Sequence, residues 1–190
     1  MNRIICNSIV LFSLIFGNVF LAAAQTASVP STVYGLTLGK VYNDSEIRRV
    51  MDEEHHLNGT TKYKGSGDYL ELVYTFSSSY GVFSFGGLEW DYVDLNLHKS
   101  VLFQILFVRH FDEYPEAQTF RDSLLNKLKR KYGEAFFSDG LHCWSSKNNT
   151  IFLELTKAQA RNNKHYYYVH LIYDDAKIVK KLAEAENSEL

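Results

Sequence analysis

The segment from Gly86 to His98 sets Glu89, Asp91, Asp94 and His98 around Trp90. Paired carboxylates can run glycoside hydrolysis when a cleft holds them at a fixed separation, one giving a proton while the other attacks or activates water. On an extended strand Glu89 and Asp91 share a face with their side chains about 6 to 7 Å apart, a spacing that suits such a pair. The same alternation describes any solvated strand face, because ionised carboxylates stay in water unless partnered. The solvated strand is the reading adopted, and a hydrolase using Glu89 and Asp91 is kept as an alternative. Calcium is set aside, since Asp91 and Asp94 lack the dense run of oxygen ligands its loops require.

Thiol and imidazole chemistry come next. A nucleophilic Cys143 needs a neighbour that stabilises its thiolate. His142 adjoins it but points to the opposite side of a strand, which leaves His170 as the one histidine placed to reach it across a sheet. A buried, inert cysteine is the expectation, as free cysteine is among the most buried residue types. Seven histidines invite zinc: His55, His56, His98, His110, His142, His165 and His170. None forms a helical pair four residues apart, and His98 with His110 offers two ligands without the third or fourth that zinc needs. No metal and no cofactor are predicted.

Aromatic residues supply the better site. In the run Tyr166 to Tyr173, Tyr167, Val169, Leu171 and Tyr173 share one parity, leaving Tyr166 and Tyr168 on the other face with His170 and Ile172. Tyrosine is favoured where one end of a side chain is dry and the other wet, as at protein interfaces. Trp90, Tyr92, Tyr166 and Tyr168 are therefore the candidate binding residues, the alternative being that the closing helix covers the face of Tyr166 and Tyr168. A carbohydrate-binding module, with Trp90, Trp144 and the tyrosines as stacking platforms, is the first alternative, ahead of the hydrolase.

The start of the chain reads as a secretory leader. Arg3, an apolar run from Ile4 to Leu21 and the small residues Ala22 to Ala24 predict a signal peptide over residues 1–24, placing the product in the periplasm or outside the cell. Asn7, Ser8, Ser13, Gly17 and Asn18 dilute the run below what a spanning helix needs, and no second span follows. Cleavage removes Cys6 and leaves Cys143 alone, so no internal disulfide is expected and stability must come from a core. It also removes Arg3, changing the net charge from -2 to -3, a near-neutral balance with no footprint for nucleic acid.

The elements that position these residues follow from periodicity. Val33 to Leu38 reads as a short first strand. Asn43-Asp44-Ser45-Glu46 has the form of a capping box, opening a helix with Ile47, Val50 and Met51 on one face and ending before His55. Leu70, Leu72, Tyr74 and Phe76 alternate as a half-buried strand over Tyr69 to Phe76, and Val82 to Phe85 is a second. Leu88, Trp90 and Tyr92 share one parity whereas Val93, Leu95 and Leu97 share the other, which requires a bulge or bend near Tyr92-Val93. Glu89 and Asp91 then line the wet side before the bend, Asp94 and Asn96 after it. Val101 to Phe107 returns as a strand, apolar on both faces except at Gln104. Pro115 opens a helix carrying the stripe Ala117, Phe120, Leu124, Leu128 and Tyr132 up to Gly133. Leu141 to Ser145, Thr150 to Thr156 and Tyr166 to Tyr173 read as strands, with Ala158 to Lys164 a polar turn. A last helix, capped by Asp174 or Asp175, turns Ile178, Leu182 and Ala185 inward. The expected fold is α+β: one domain over residues 25–190, an antiparallel sheet packed on helices, built of two helix-plus-meander units at about 31–112 and 113–190.

Tyr34-Gly35-Leu36-Thr37-Leu38-Gly39 ahead of a capped helix, Phe85 to Trp90 ahead of a hairpin, Lys131-Tyr132-Gly133 ending a helix, and Trp144 before a turn resemble small exported bacterial proteins of unknown function. The twofold occurrence of a glycine and short helix before an antiparallel meander also resembles the beta-lactamase-inhibitor-like proteins and the outer-membrane assembly lipoproteins of the SmpA/OmlA type. This chain departs from them in having no lipid-attachment cysteine and no glycine closing its first helix. The resemblance implies a binder that meets another protein across a sheet face. The reading taken is a non-enzymatic, exported binding or structural module of the bacterial cell envelope, with an envelope protein, or a glycan, as partner.

Overall fold

The computed structural model describes residues 28–64, 71–160 and 163–188. The expected signal peptide over residues 1–24, Tyr69 and Leu70 of the first alternating strand, and residues 161–162 of the polar turn lie outside the described residues. The chain opens with a small hairpin of β1 (Thr32–Val33) and β2 (Leu36–Thr37), turned by Tyr34 and Gly35, both at positive φ. Asn43 then caps α1 (Asp44–Arg48): its side chain accepts from the Glu46 amide, and the Glu46 carboxylate accepts from the Asn43 amide. The helix widens into a π-helical turn over Arg49–Glu54, with Ile47, Val50 and Met51 buried.

β3 (Leu57–Lys64), β4 (Glu71–Ser78), β7 (Tyr92–His98) and β8 (Val101–Phe111) form a meander, interrupted by a separate two-stranded hairpin of β5 (Phe83–Phe85) and β6 (Leu88–Trp90). Next come α2 (Tyr114–Tyr132) and a second meander of β9 (Phe136–Ser138), β10 (Leu141–Ser145), β11 (Asn149–Gln159) and β12 (His165–Asp175), then α3 (Ala176–Ser188). The two meanders make one eight-stranded antiparallel sheet in the order β3-β4-β7-β8-β12-β11-β10-β9, joined where β8 pairs β12. Among the described residues no helix is long and apolar enough to cross a membrane.

The expected α+β class is corrected by this sheet: strand accounts for 51% and helix for 26%, so the protein is mostly β. Two physical causes account for the difference. β3 carries Asn58, Gly59, Thr60, Thr61 and Lys62 with no apolar period, and is a strand because its backbone pairs with β4 along eight residues at the sheet edge. β8, β11 and β12 each run eleven residues, well past their apolar cores, because ladder hydrogen bonds continue between polar ends.

One face of the sheet holds the main core. α2 packs across β8, β11 and β12, burying Ala117, Leu124, Leu128 and Tyr132, with Phe120 half-buried beside them. Gly133 at positive φ closes the helix by donating its amide to the Lys129 carbonyl. Phe107 lies at the centre, its ring stacked on Phe85 at 4.2 Å and tilted against Trp90 at 5.6 Å. The opposite face carries a smaller cluster of Cys143, Phe152 and Ile172. α3 is capped by Asp175, which accepts from the Lys177 and Ile178 amides. Its buried residues are Val179 and Ala183, one position from the expected Ile178 and Leu182, which are half-buried; the Ala185 side chain lies outside the described residues.

Candidate functional site

The bend in the segment from Gly86 to His98 organises the site. It falls at Asp91, one residue before the expected Tyr92-Val93: β6 pairs with β5 as far as Trp90, the Asp91 amide donates to the Val108 carbonyl, and from Tyr92 onward the chain pairs with β4 and β8. Asp91 is clamped there. Its Oδ1 accepts from Arg109 Nη1 at 2.7 Å and its Oδ2 from the His110 amide at 2.5 Å. Trp90 and Val93 both enter the core, and Tyr92 is sent to the other face.

That other face brings three of the four candidate binding residues together. Pairing sets Tyr168 opposite His110, His170 opposite Val108, and Val108 opposite Tyr92. The His110 ring lies 5.1 Å from Tyr166 and 5.3 Å from Tyr168, and Tyr168 stacks on His170 at 6.2 Å. Val108, in the middle of this group by register, is fully buried, while Tyr92, His110, Tyr166 and Tyr168 are half-exposed. His170 is buried, with Nδ1 3.4 Å from Glu154 Oε2. Lys164 sits 5.0 Å above the Tyr166 ring and pairs with Asp112, placing charge at the rim. The Tyr92 hydroxyl is pushed up to about 12, first by burial and then by Asp94, Tyr168 and Asp91, so it stays a neutral donor and acceptor.

Trp90 does not share this face. It is 0% exposed, donates its indole N–H to the Phe85 carbonyl at 3.1 Å, and meets Phe120 edge-on at 5.3 Å. Trp144 is equally enclosed, donating to the Gly133 carbonyl at 2.9 Å. Neither indole offers a ring to a sugar.

Glu89 and Asp91 are also separated in role. Glu89 is exposed on the β5–β6 hairpin opposite Ser84, and Asp91 is held by its two donors. A shallow apolar hollow of about 560 Å³ next to β6 is lined by Leu88, Phe111, Pro115, Glu116, Thr119, Phe120 and Ser123, and includes neither carboxylate. Cys143 is buried, 3.5 Å from Ser145 Oγ, and burial pushes its thiol up to about 11. β11 lies between it and the strand of His170. His142 faces away beside Phe137, and its pKa is lowered by burial, then by Arg121 and Lys129. His98 and His110 stand at opposite ends of the β7–β8 hairpin. Among the described residues no three His, Cys, Asp or Glu side chains gather as a metal site.

Beyond the bend, Asp94 is half-exposed and accepts from Thr75, but Asn96, expected on a wet side, is 7% exposed. It donates to Gln104, which donates to Asp174. His110, weighed only as a zinc ligand, and this polar row were not among the candidate binding residues; the signal for the row was Gln104, the one polar interruption in an apolar run. Comparison with family models, curated proteins and solved structures finds no match.

Proposed function

We propose that this protein is an exported, non-enzymatic binding or structural module of the cell envelope that recognises another protein through Tyr92, Tyr166 and Tyr168. One observation carries the reading: these tyrosines and His110 form a contiguous, half-exposed aromatic group on the sheet face turned away from α2. Rigid tyrosines supply large contact area at small entropic cost and keep a hydroxyl for a polar partner atom, which is the chemistry of interface anchors. The clamped Asp91, the enclosed Trp144 and the raised Cys143 thiol leave the hydrolase, carbohydrate and thiol readings with less geometric support.

The test is in-cell photo-crosslinking with a benzophenone amino acid at position 168 or 166, compared with position 80, where Tyr80 is 96% exposed on a turn. A discrete protein adduct at 168 and 166 and none at 80 is expected. Equal adducts at all three positions, or none at the patch, would contradict the reading.

A further inference from the structure

Asp174 is 1% exposed near the end of β12, next to the residue that caps α3. Its Oδ1 accepts from Gln104 Nε2 at 3.0 Å, and Gln104 Oε1 accepts from Asn96 Nδ2 at 2.6 Å, so a polar chain crosses β7, β8 and β12, with the half-buried Gln104 between the buried Asn96 and Asp174. On the other flank Thr150 stands directly opposite on β11, its hydroxyl 3.4 Å from Ser145, which is 3.5 Å from Cys143 Sγ. Asp174 Oδ2 has no hydrogen-bond partner among the described residues, and no cation pairs with the carboxyl.

We propose that Asp174 makes the junction of β12 and α3 a proton-operated latch, closed when its carboxyl is neutral and loosened when it ionises. A neutral carboxyl keeps an acceptor for Gln104 and carries no charge, so its open oxygen costs far less in a buried site than a carboxylate would. An ionised one leaves a charge without a counter-ion, and burying an unpaired charge is far costlier than burying a neutral polar group. The titratable groups around it give no relief. Asp175 adds a like charge while holding the α3 amides, Cys143 is a neutral thiol, and Asn96, Gln104, Asn149 and Thr150 carry no charge. His98 and Glu71 lie one row further along β7 and β4, and Lys62 shares the Asn96 row only at the far edge strand. Burial pushes the Asp174 carboxyl up to about 7, within the range an exported protein meets. α3 begins two residues later and rests on β11 and β12, so it is the element the latch would release.

Hydrogen exchange at pH 5.5 and 8.5, corrected for intrinsic chemistry, tests this on the α3 amides with α2 as reference. Wild-type α3 should lose protection at the higher pH about tenfold more than α2. Asp174→Asn should abolish that difference, whereas Asp175→Asn, which keeps a capping oxygen and removes the like charge, should retain it with its midpoint moved to lower pH. Protection of α3 independent of pH in the wild type, or the same dependence in Asp174→Asn, would overturn the latch. Should Asp174→Asn not fold, the carbonyl carbon shift of Asp174 in the wild type decides: a midpoint near 7 supports the latch, and one below about 5 ends it.

Discussion

Gly59 offers a sharp test of the β3–β4 pairing, the part of the sheet least visible in the sequence. It lies directly opposite Phe76, whose ring covers it: a Cβ at position 59 would come closer than 3.0 Å to three ring atoms. Phe76 is fully buried and stacked with Tyr74 at 6.2 Å, so the ring cannot swing into solvent. Gly59→Ala therefore overpacks the core, at about 1 to 3 kcal/mol. Restricting the unfolded chain gives back about 0.4 to 1 kcal/mol. The net expectation is a loss of about 1 to 2 kcal/mol, read in urea denaturation as a lower midpoint with unchanged slope. In a domain of this size that lowers Tm by roughly 2 to 8 °C. Phe76→Leu should absorb much of the clash, so the double variant should be more stable than the sum of the two by about 1 kcal/mol. A neutral or stabilising Gly59→Ala, or strict additivity with Phe76→Leu, would refute the ring-over-glycine packing.

Two further outcomes follow from other sites. The β7–β8 hairpin turns on Lys99 and Ser100, both at positive φ, a conformation that favours glycine; Ser100→Gly should raise stability by about 0.5 kcal/mol in the same assay, and a loss would argue against this turn. Cys143 should resist alkylation at pH 7.5 in the native protein and react on unfolding, because burial holds its thiol protonated; rapid stoichiometric labelling of folded protein would contradict its placement.

The sequence makes some of this legible, and the residues show why. α2 is readable because five apolar residues at helical spacing between Pro115 and Gly133 leave no other periodicity, and the Asn43–Glu46 capping box is a local device that needs no tertiary partner. The parity slip in β6 and β7 is equally plain, since Trp90 and Val93 cannot both be buried on an unbroken strand. What parity cannot give is the position of the bend. Arg109 and His110, from a strand remote in sequence, clamp Asp91, and that choice sends Tyr92 and Trp90 to opposite faces although they share a parity. β3 is hidden for the reverse reason: its side chains have no pattern, and only the backbone of β4 makes it a strand. His110 joins the tyrosines through register between β8 and β12, and Asp174 differs from its capping neighbour Asp175 only by which face of β12 it occupies.

The two faces of the sheet are separate, with the tyrosines and His110 on one and Trp90 in the core of the other. Aromatic nuclear Overhauser contacts measure it directly. The His110 ring protons should show contacts to both Tyr166 and Tyr168, and the Trp90 indole to Phe107 and Phe120 with none to the tyrosines. A Trp90 contact to Tyr166 or Tyr168, with no His110 contact to either, would contradict it.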